Sequence, residues 1–458
     1  MDMPPLKIGN TVASVPIIQG GMGLGISLSK LAAAVANQGG IGVIAANLIG
    51  VMEPDYYKNG IEANKRSLRR EIRKARKLSD GIIGVNIMVA VSEFHELLKV
   101  SIEEKVDLVC LGAGLPLRGI PVKELREANV KIVPIVSSER ATRLIFTYWQ
   151  KKFNTVPDAV VVEGPMAGGH LGFKENEIHD PNFALENIFP GVLSAVKPFE
   201  SKFKKKIPVI AAGGIYTGED IYKYFKMGAG GIQMASRFVA TTECDADDKF
   251  KEAFVNCSQE DISIIKSPVG LPGRAIKNKF LRDVDSGMKK TFRCPRRCLV
   301  SCKAKASQYC ICEALDNARK GNLADGFAFA GSNAYRVENI VPVKALMKEL
   351  RSEYLLTAER NMVNLKNEFA DAIKRLISVR DQYIKTVKKS ARAFKVELGE
   401  MLDKGTSSFR EEYKTAIKKL ETLKEQYANH FDRVDELKQQ LSKYFDISSL
   451  KLPEIELC

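Results

Sequence analysis

The stretch Asp158-Ala-Val-Val-Val-Glu-Gly-Pro-Met-Ala-Gly-Gly-His-Leu-Gly-Phe173 holds the densest chemistry in the chain. A β-branched run ends in the acidic Glu163, and Gly164, Gly168, Gly169 and Gly172 follow. His170, one of four histidines in 458 residues, sits among them. Glycines at that density let the backbone approach a ligand and turn its N–H groups toward an anion. A neighbouring imidazole can give or take a proton near neutral pH. The stretch reads as an active-site loop with His170 as its catalytic candidate. The plain alternative is a tight turn with a surface histidine.

Two later loops could hold a phosphate. In Ala211-Ala-Gly-Gly-Ile-Tyr-Thr-Gly218, Gly213 and Gly214 leave room for one, and Thr217 can cap the next helix with Asp220. In Gln233-Met-Ala-Ser-Arg237, the N–H groups after Gln233 and at Ser236 would close the cradle from the other side. The alternative is a pair of ordinary glycine turns.

These loops need a scaffold, and the sequence supplies one. Short apolar runs fall at Val15–Gln19, Ile41–Ala45, Gly81–Met88, Asp107–Leu111, Lys131–Val136, Asp158–Val162, Ile207–Ala212 and Gly231–Ala235. They are continuous rather than alternating, as parallel strands buried on both faces are. Helical stretches separate them: Ser27–Gln38, Glu93–Lys99, Val122–Asn129, Ser138–Lys151 and Gly218–Met227. Eight such units in about 240 residues fit an α/β fold of the (β/α)8 TIM-barrel type, with a doubly wound open sheet as the other candidate. In a barrel the active site lies at the C-terminal ends of the strands, where the unusual loops fall.

The formal net charge of +15 suits an anionic partner such as a phosphate-bearing cofactor or an acidic carrier. The densest basic run, Lys65 to Lys77, has Leu68, Ile72 and Ala75 on its other side and reads as one solvated helix face. Without interleaved aromatics it argues against nucleic acid. No apolar run reaches the ~18 residues of a membrane span, and the N-terminus lacks a signal-peptide pattern. A cytoplasmic protein with reduced thiols is expected.

Together the motifs resemble a known family. Pro16-Ile-Ile-Gln-Gly-Gly-Met-Gly23, Gly84-Val-Asn-Ile-Met88, Gly112-Ala-Gly114, Glu163-Gly-Pro-Met-Ala-Gly-Gly-His170, Pro208-Val-Ile-Ala-Ala-Gly-Gly-Ile215 and Gln233-Met-Ala-Ser-Arg-Phe238 occur in its order. Residues 1 to about 350 resemble the FMN-dependent nitronate monooxygenases, a group that includes FMN-dependent enoyl-acyl-carrier-protein reductases. The resemblance implies FMN across the barrel mouth. Gly168, Gly169, Gly214 and the residues Gln233, Met234, Ala235 and Ser236 would hold its phosphate end. Gly21, Met22, Asn86 and Glu163 would line the flavin, with His170 beside it. Met166 stands where relatives carry an acidic residue. Glu163, and the segment Ser267-Pro-Val-Gly-Leu-Pro-Gly-Arg-Ala-Ile-Lys277, are similar to the reductase branch. Two activities follow: oxidation of a small nitronate by O2 to a carbonyl compound and nitrite, or NADH-dependent reduction of an enoyl thioester. A flavin-binding scaffold is the non-enzymatic alternative.

Five of the nine cysteines fall within 19 residues, at Cys294, Cys298, Cys302, Cys310 and Cys312. Thiols at that density suggest a zinc or iron–sulfur site, but the spacing matches no common ligand pattern, and the alternative is that the first three share one helix face as core thiols. None lies in a barrel-mouth motif, so the cluster is expected to stand apart from flavin binding. The segment Glu313 to Tyr335 is expected to pack on the barrel. From about residue 355 glycine almost vanishes, and apolar residues recur at steps of three and four. A barrel domain over 1–352 and a helical hairpin over 353–458 follow. The first helix should run from roughly 358 to 403 and turn at Lys404-Gly-Thr-Ser-Ser408. The hairpin's stripes could join two copies of the chain into a homodimer.

Overall fold

The computed structural model describes residues 2–292, 294, 298–300, 302, 307–401 and 408–442. The chain divides into two compact units, Met1–Leu355 and Leu356–Cys458.

The first unit is built on eight strands: β1 (Ile17–Gln19), β2 (Ile41–Ala45), β3 (Ile82–Met88), β4 (Leu108–Gly112), β5 (Lys131–Val136), β6 (Val160–Glu163), β7 (Val209–Ala212) and β8 (Gly231–Met234). Every neighbouring pair is parallel, and β8 pairs with β1 to close the ring. Closure decides for the barrel over the open sheet. The interior is filled by Ile18, Ile41, Val43, Leu108, Cys110, Val133, Val161 and Ile210. An antiparallel hairpin, Leu6–Ile8 with Thr11–Ala13, adds Leu6 and Ile8 to that core.

Helices follow the strands, and their placement has local causes. Thr217 caps Gly218–Lys226 by accepting from the Asp220 N–H at 3.1 Å, while the Asp220 carboxylate accepts from the Thr217 N–H at 2.9 Å. The helix Leu185–Phe203 contains Pro190 and Pro198, which hid it from a reading of helical pattern. The basic run lies on the helix Tyr56–Leu78, where Leu68, Ile72 and Ala75 are buried. Much of its charge is met within the molecule, by Arg66–Asp55, Arg69–Glu103, Arg73–Glu104 and Arg76–Asp107 pairs.

A three-stranded antiparallel layer stands outside the ring: Ile262–Lys266, Pro272–Ile276 and Gly169–His170. The family motifs gave no notice of it.

The helix Val343–Met401 passes from the first unit into the second at Leu356, and within the second unit Phe369, Ala372, Leu376 and Val379 pack against Leu423, Tyr427, Val434, Leu437 and Leu441 of the helix Ser408–Ser442. Arg433 pairs with Glu368 across them. The first helix begins at Val343, not near 358. Pro342 precedes it, and the Val343 N–H donates to the Glu243 carboxylate at 2.9 Å. The expected turn, save Ser408, lies outside the described residues. No described helix is long and apolar enough to cross a membrane.

The barrel depends on close backbone approaches. A Cβ on Gly42 of β2 would overlap the Ala32 carbonyl of the helix Ser29–Asn37. Gly42→Ala is expected to destabilise the protein by at least ~1–3 kcal/mol, the usual cost of overpacking. Urea unfolding of the full chain reads it, and an unchanged midpoint would show that the helix can move away freely.

Candidate active site

A cavity of ≈ 320 Å³ opens at the C-terminal ends of the strands. It falls in the range of small-molecule sites, ~300–1,000 Å³. The barrel register explains its lining. Ala45 is level with Asn86, and Glu163 with Ala212, which is level in turn with Gln233. All thirteen residues singled out from the sequence meet here: His170, Gly21, Met22, Asn86, Glu163, Gly168, Gly169, Gly213, Gly214, Gln233, Met234, Ala235 and Ser236.

Each wall is fixed by its own hydrogen bonds. The first loop is tied when Met22 N–H donates to Ser27 Oγ at 2.8 Å. Gly21 lies hard against Asn86, so that even a methyl group there would collide with the asparagine side chain. Below them the fully buried Gln19 accepts from the Val43 N–H at 3.0 Å. Asn47 accepts from the Met88 N–H at 2.9 Å and steadies the next two loops.

The glycine-rich loop after β6 is held from behind. Gly169 and His170 form the edge strand of the outer layer, level with Arg274 and Gly273. Arg274 is 5% exposed and donates to the Pro165 carbonyl and, at 2.9 Å, to the Ala167 carbonyl. Burial lowers its pKa to about 10, so it remains a cation at neutral pH. His170 Nε2 lies 2.7 Å from Ser267 Oγ, and its ring meets Phe329 edge-on at 5.0 Å. The segment from Ser267 to Lys277 therefore braces the histidine loop.

Glu163 and His170 are the two titratable groups of this wall, and desolvation moves them in opposite directions. Burial raises the Glu163 carboxyl to about 7 and lowers the His170 imidazole to about 4. Each is pushed toward its uncharged form.

An implied phosphate-bearing flavin can be tested against the residues present. Gly169, Gly213 and Gly214 have φ of 81°, 92° and 84°, the left-handed region in which glycine is at ease. The backbone N–H groups of Gly168, Gly213 and Gly214 donate to no acceptor among the described residues. Unspent donors beside a cavity are what an anion needs. The residues fit the group.

Several lining residues come from beyond the family motifs. Phe329 to Asn333 close one side: Gly331 N–H donates to Ser236 Oγ at 2.9 Å, Ser332 N–H to the Met166 carbonyl at 3.0 Å, and Asn333 Nδ2 to the Gly214 carbonyl at 2.6 Å. The sequence signalled only that this segment should pack on the barrel. Leu24, Leu48, Leu299 and Leu315 supply apolar walls, and Met166 is 44% exposed.

Cys294, Cys298 and Cys302 are not helical, so the expected shared helix face is absent. Cys312 lies in the cavity lining. Cys298 and Cys312 lie with sulfurs 3.3 Å apart. Among the described residues, no three His, Cys, Asp or Glu side chains are arranged to hold a metal ion.

Fold and site define a (β/α)8-barrel enzyme with its cavity at the strand C-termini. The nitronate monooxygenase family model matches residues 5–353, and the chain belongs to that family of flavin-dependent oxidoreductases. A probable nitronate monooxygenase of Staphylococcus aureus strain MSSA476 is 27% identical over 305 residues, covering 59% of this chain and 77% of the relative. FabK from Thermotoga maritima is 30% identical with a TM-score of 0.60, over 76% of this chain and 95% of that one. A nitroalkane oxidase from Streptomyces ansochromogenes shares the fold at 22% identity and a TM-score of 0.58, over 76% of this chain and 97% of that one.

The Glu163 carboxyl makes a stability test of the site's polarity. Its ordinary value is 4.5 and its folded value about 7, so the folded chain holds the extra proton between those limits. The group's contribution is fully present below pH 4.5 and is lost as pH rises through 7. Glu163→Gln in the flavin-free protein should therefore gain stability over wild type at pH 8, by about 1–3 kcal/mol, with the gain shrinking toward pH 5. Thermal unfolding across that range measures it. A pH-independent difference would mean the carboxyl is not desolvated.

Proposed function

We propose that the chain binds FMN in this cavity and oxidises small alkyl nitronates with O2 to a carbonyl compound and nitrite. The observation that carries the reading is a half-buried His170 lining a cavity in which its own loop and the neighbouring one, at Gly168, Gly213 and Gly214, present unspent backbone donors. FMN held here would supply the redox chemistry between the nitronate and oxygen.

The chain's residues do the rest. Gly168, Gly213 and Gly214 offer N–H groups to the phosphate, with the Ser236 hydroxyl beside them. Gly169, Gln233, Met234 and Ala235 adjoin them, and Gly21, Met22 and Asn86 continue the lining. Leu24, Leu48 and Leu315 exclude water from the reacting end. With a pKa near 4, His170 is a weak base and a good neutral hydrogen-bond partner for the oxygens of a nitronate. A nitronate has already lost its α-proton and asks for no stronger base. That favours the anion over a neutral nitroalkane as substrate.

A second reading, FMN- and NADH-dependent reduction of an enoyl thioester, has its own support. Glu163 and the Ser267–Lys277 segment are the features similar to the reductase branch. In the structure that segment meets the loop at His170. His170 would then steady the thioester carbonyl, and Glu163, partly protonated near pH 7, could supply a proton.

One preparation distinguishes the two. Oxygen uptake with propionate 3-nitronate supports the first; NADH oxidation with crotonyl thioester supports the second. A flavin other than FMN released on heating would defeat both. In either case His170→Ala should retain FMN and lose about 10²–10³-fold in turnover, the usual cost of removing one hydrogen-bonding group from the reacting oxygens. Wild-type rates at matched flavin content would remove the histidine from the chemistry.

The second unit supports a homodimer. On the helix Val343–Met401, Leu356, Val363, Ala370, Ile377 and Ile384 are all exposed and recur every seven residues, although Leu376 and Val379 beside them are buried in the hairpin. A seven-residue apolar row left outside one helical pair suits a further helix. Val363→Glu with Ile377→Glu should halve the mass seen by light scattering. An equal mass in wild type and variant would rule out association through this row.

A further inference from the structure

We propose that Cys298 and Cys312 form a reversible dithiol–disulfide couple in the wall of the active-site cavity. The geometry is already close. The two sulfurs are 3.3 Å apart, and a disulfide needs ~2.05 Å, so they must approach by ~1.3 Å. Both thiols are free and neither is fully buried, which leaves room for a small reagent. They pack together against Leu24, Leu48, Tyr56 and Ala63, in one apolar cluster. Cys312, Leu24 and Leu48 also line the cavity, so a bond formed here changes the shape of its wall. Only 14 positions separate the two cysteines, and the bond would fasten Cys298 to the start of the helix Ile311–Arg319.

Position and electrostatics together assign the roles. The thiol of Cys312 hydrogen-bonds to Cys298 and holds its sulfur below the usual thiol range. It also hydrogen-bonds to Cys310, whose value falls to about 6. Cys312, the shared donor, is raised. Of the two lowered sulfurs, Cys298 is the one that lies 3.3 Å from Cys312 and shares its apolar cluster, so it is the attacking thiolate and Cys312 the resolving thiol.

The oxidant is a small disulfide of the glutathione class. Cys298 thiolate attacks one of its sulfurs, forming a mixed disulfide and expelling one thiolate. Cys312 then loses its proton and attacks the sulfur of Cys298, and the second small thiolate leaves. Two protein thiols are oxidised by two electrons, and the small disulfide is reduced to two thiols. A metal held by thiolates is the competing use of such a cluster. The couple holds whichever ligand the cavity takes.

The test uses the purified full chain with its native flavin content. It is incubated with oxidised glutathione at neutral pH, then acid-quenched and alkylated. The proposal expects the loss of two free thiols per chain and one intramolecular link between residues 298 and 312, located by fragmentation of the joined peptides. Dithiothreitol should restore both thiols. Cys302→Ser and Cys310→Ser should each keep the link; Cys298→Ser and Cys312→Ser should each abolish it, with circular dichroism confirming that they fold. A link through Cys302 or Cys310 overturns the assignment. So does glutathione attached to Cys298 with no internal bond, or an unchanged thiol count. Stoichiometric zinc or iron that must be removed before the thiols react would overturn it in favour of a metal centre.

Discussion

The seam between Gly231–Met234 and Ile17–Gln19 is the contact on which the site depends. Residues more than 200 positions apart meet there in parallel register, Ile232 beside Ile17 and Met234 beside Gln19. The Gly20 N–H then donates to the Met234 carbonyl at 2.7 Å and continues the pairing past the strand ends. The seam tolerates little bulk. A Cβ on Gly231 would lie 2.8 Å from Leu6 Cδ2 and 3.2 Å from the Pro16 carbonyl. Opening it would separate the loop of Gly21 and Met22 from that of Gln233 to Ser236. The cavity exists because the ring is closed.

Closure alone does not shape the loop that carries His170. That loop leaves β6 rich in glycine, with Ala167 and Leu171 buried in a small apolar cluster, and an outer layer holds its backbone. One nitrogen of the buried Arg274 accepts the task of satisfying two loop carbonyls, Pro165 and Ala167. Ser267 meets the imidazole, and Phe329 bears on its ring. Removing Arg274 would strand both carbonyls in a buried setting, where each unpaired group costs about 1–3 kcal/mol. The glycines provide close approach, and the second layer provides the rigidity that glycines forfeit.

This division also explains what could be read from the sequence. The barrel strands announce themselves because burial on both faces demands continuous β-branched runs. Lys131–Val136 and Ile41–Ala45 occur with the bounds their composition predicts. The mouth loops are legible because close backbone approach admits almost nothing but glycine and small residues. Phe329, Leu24 and Leu315 are ordinary apolar residues whose role is set by contacts across the fold, and no local pattern marks them. The helix that begins at Val343 was misjudged for a related reason. Its first turns bury Val343, Leu346, Met347 and Leu350 in the first unit, so its change in composition comes well after its start. The cysteine spacing suggested a helix face, but the partner of Cys298 lies 14 residues on, at Cys312.

The same desolvation that shapes the cavity sets its charge. With the carboxyl of Glu163 raised to about 7 and the imidazole of His170 lowered to about 4, both groups are largely uncharged between those limits. On this wall an anionic ligand entering in that window meets backbone N–H dipoles, while Arg237, which also lines the cavity, is paired with Glu349 at 2.8 Å. Dipoles held in place by a rigid loop need no reorganisation when a ligand's charge shifts, and in a dry site they act at low dielectric. Above the window Glu163 gains a negative charge, and an anionic ligand would be repelled. Below it His170 becomes a cation and loses its acceptor nitrogen. A cavity that merely needed to attract anions could have placed a lysine here. One that must hold an anion while its electrons are withdrawn is better served by neutral groups and fixed dipoles, which bind the charge without trapping it.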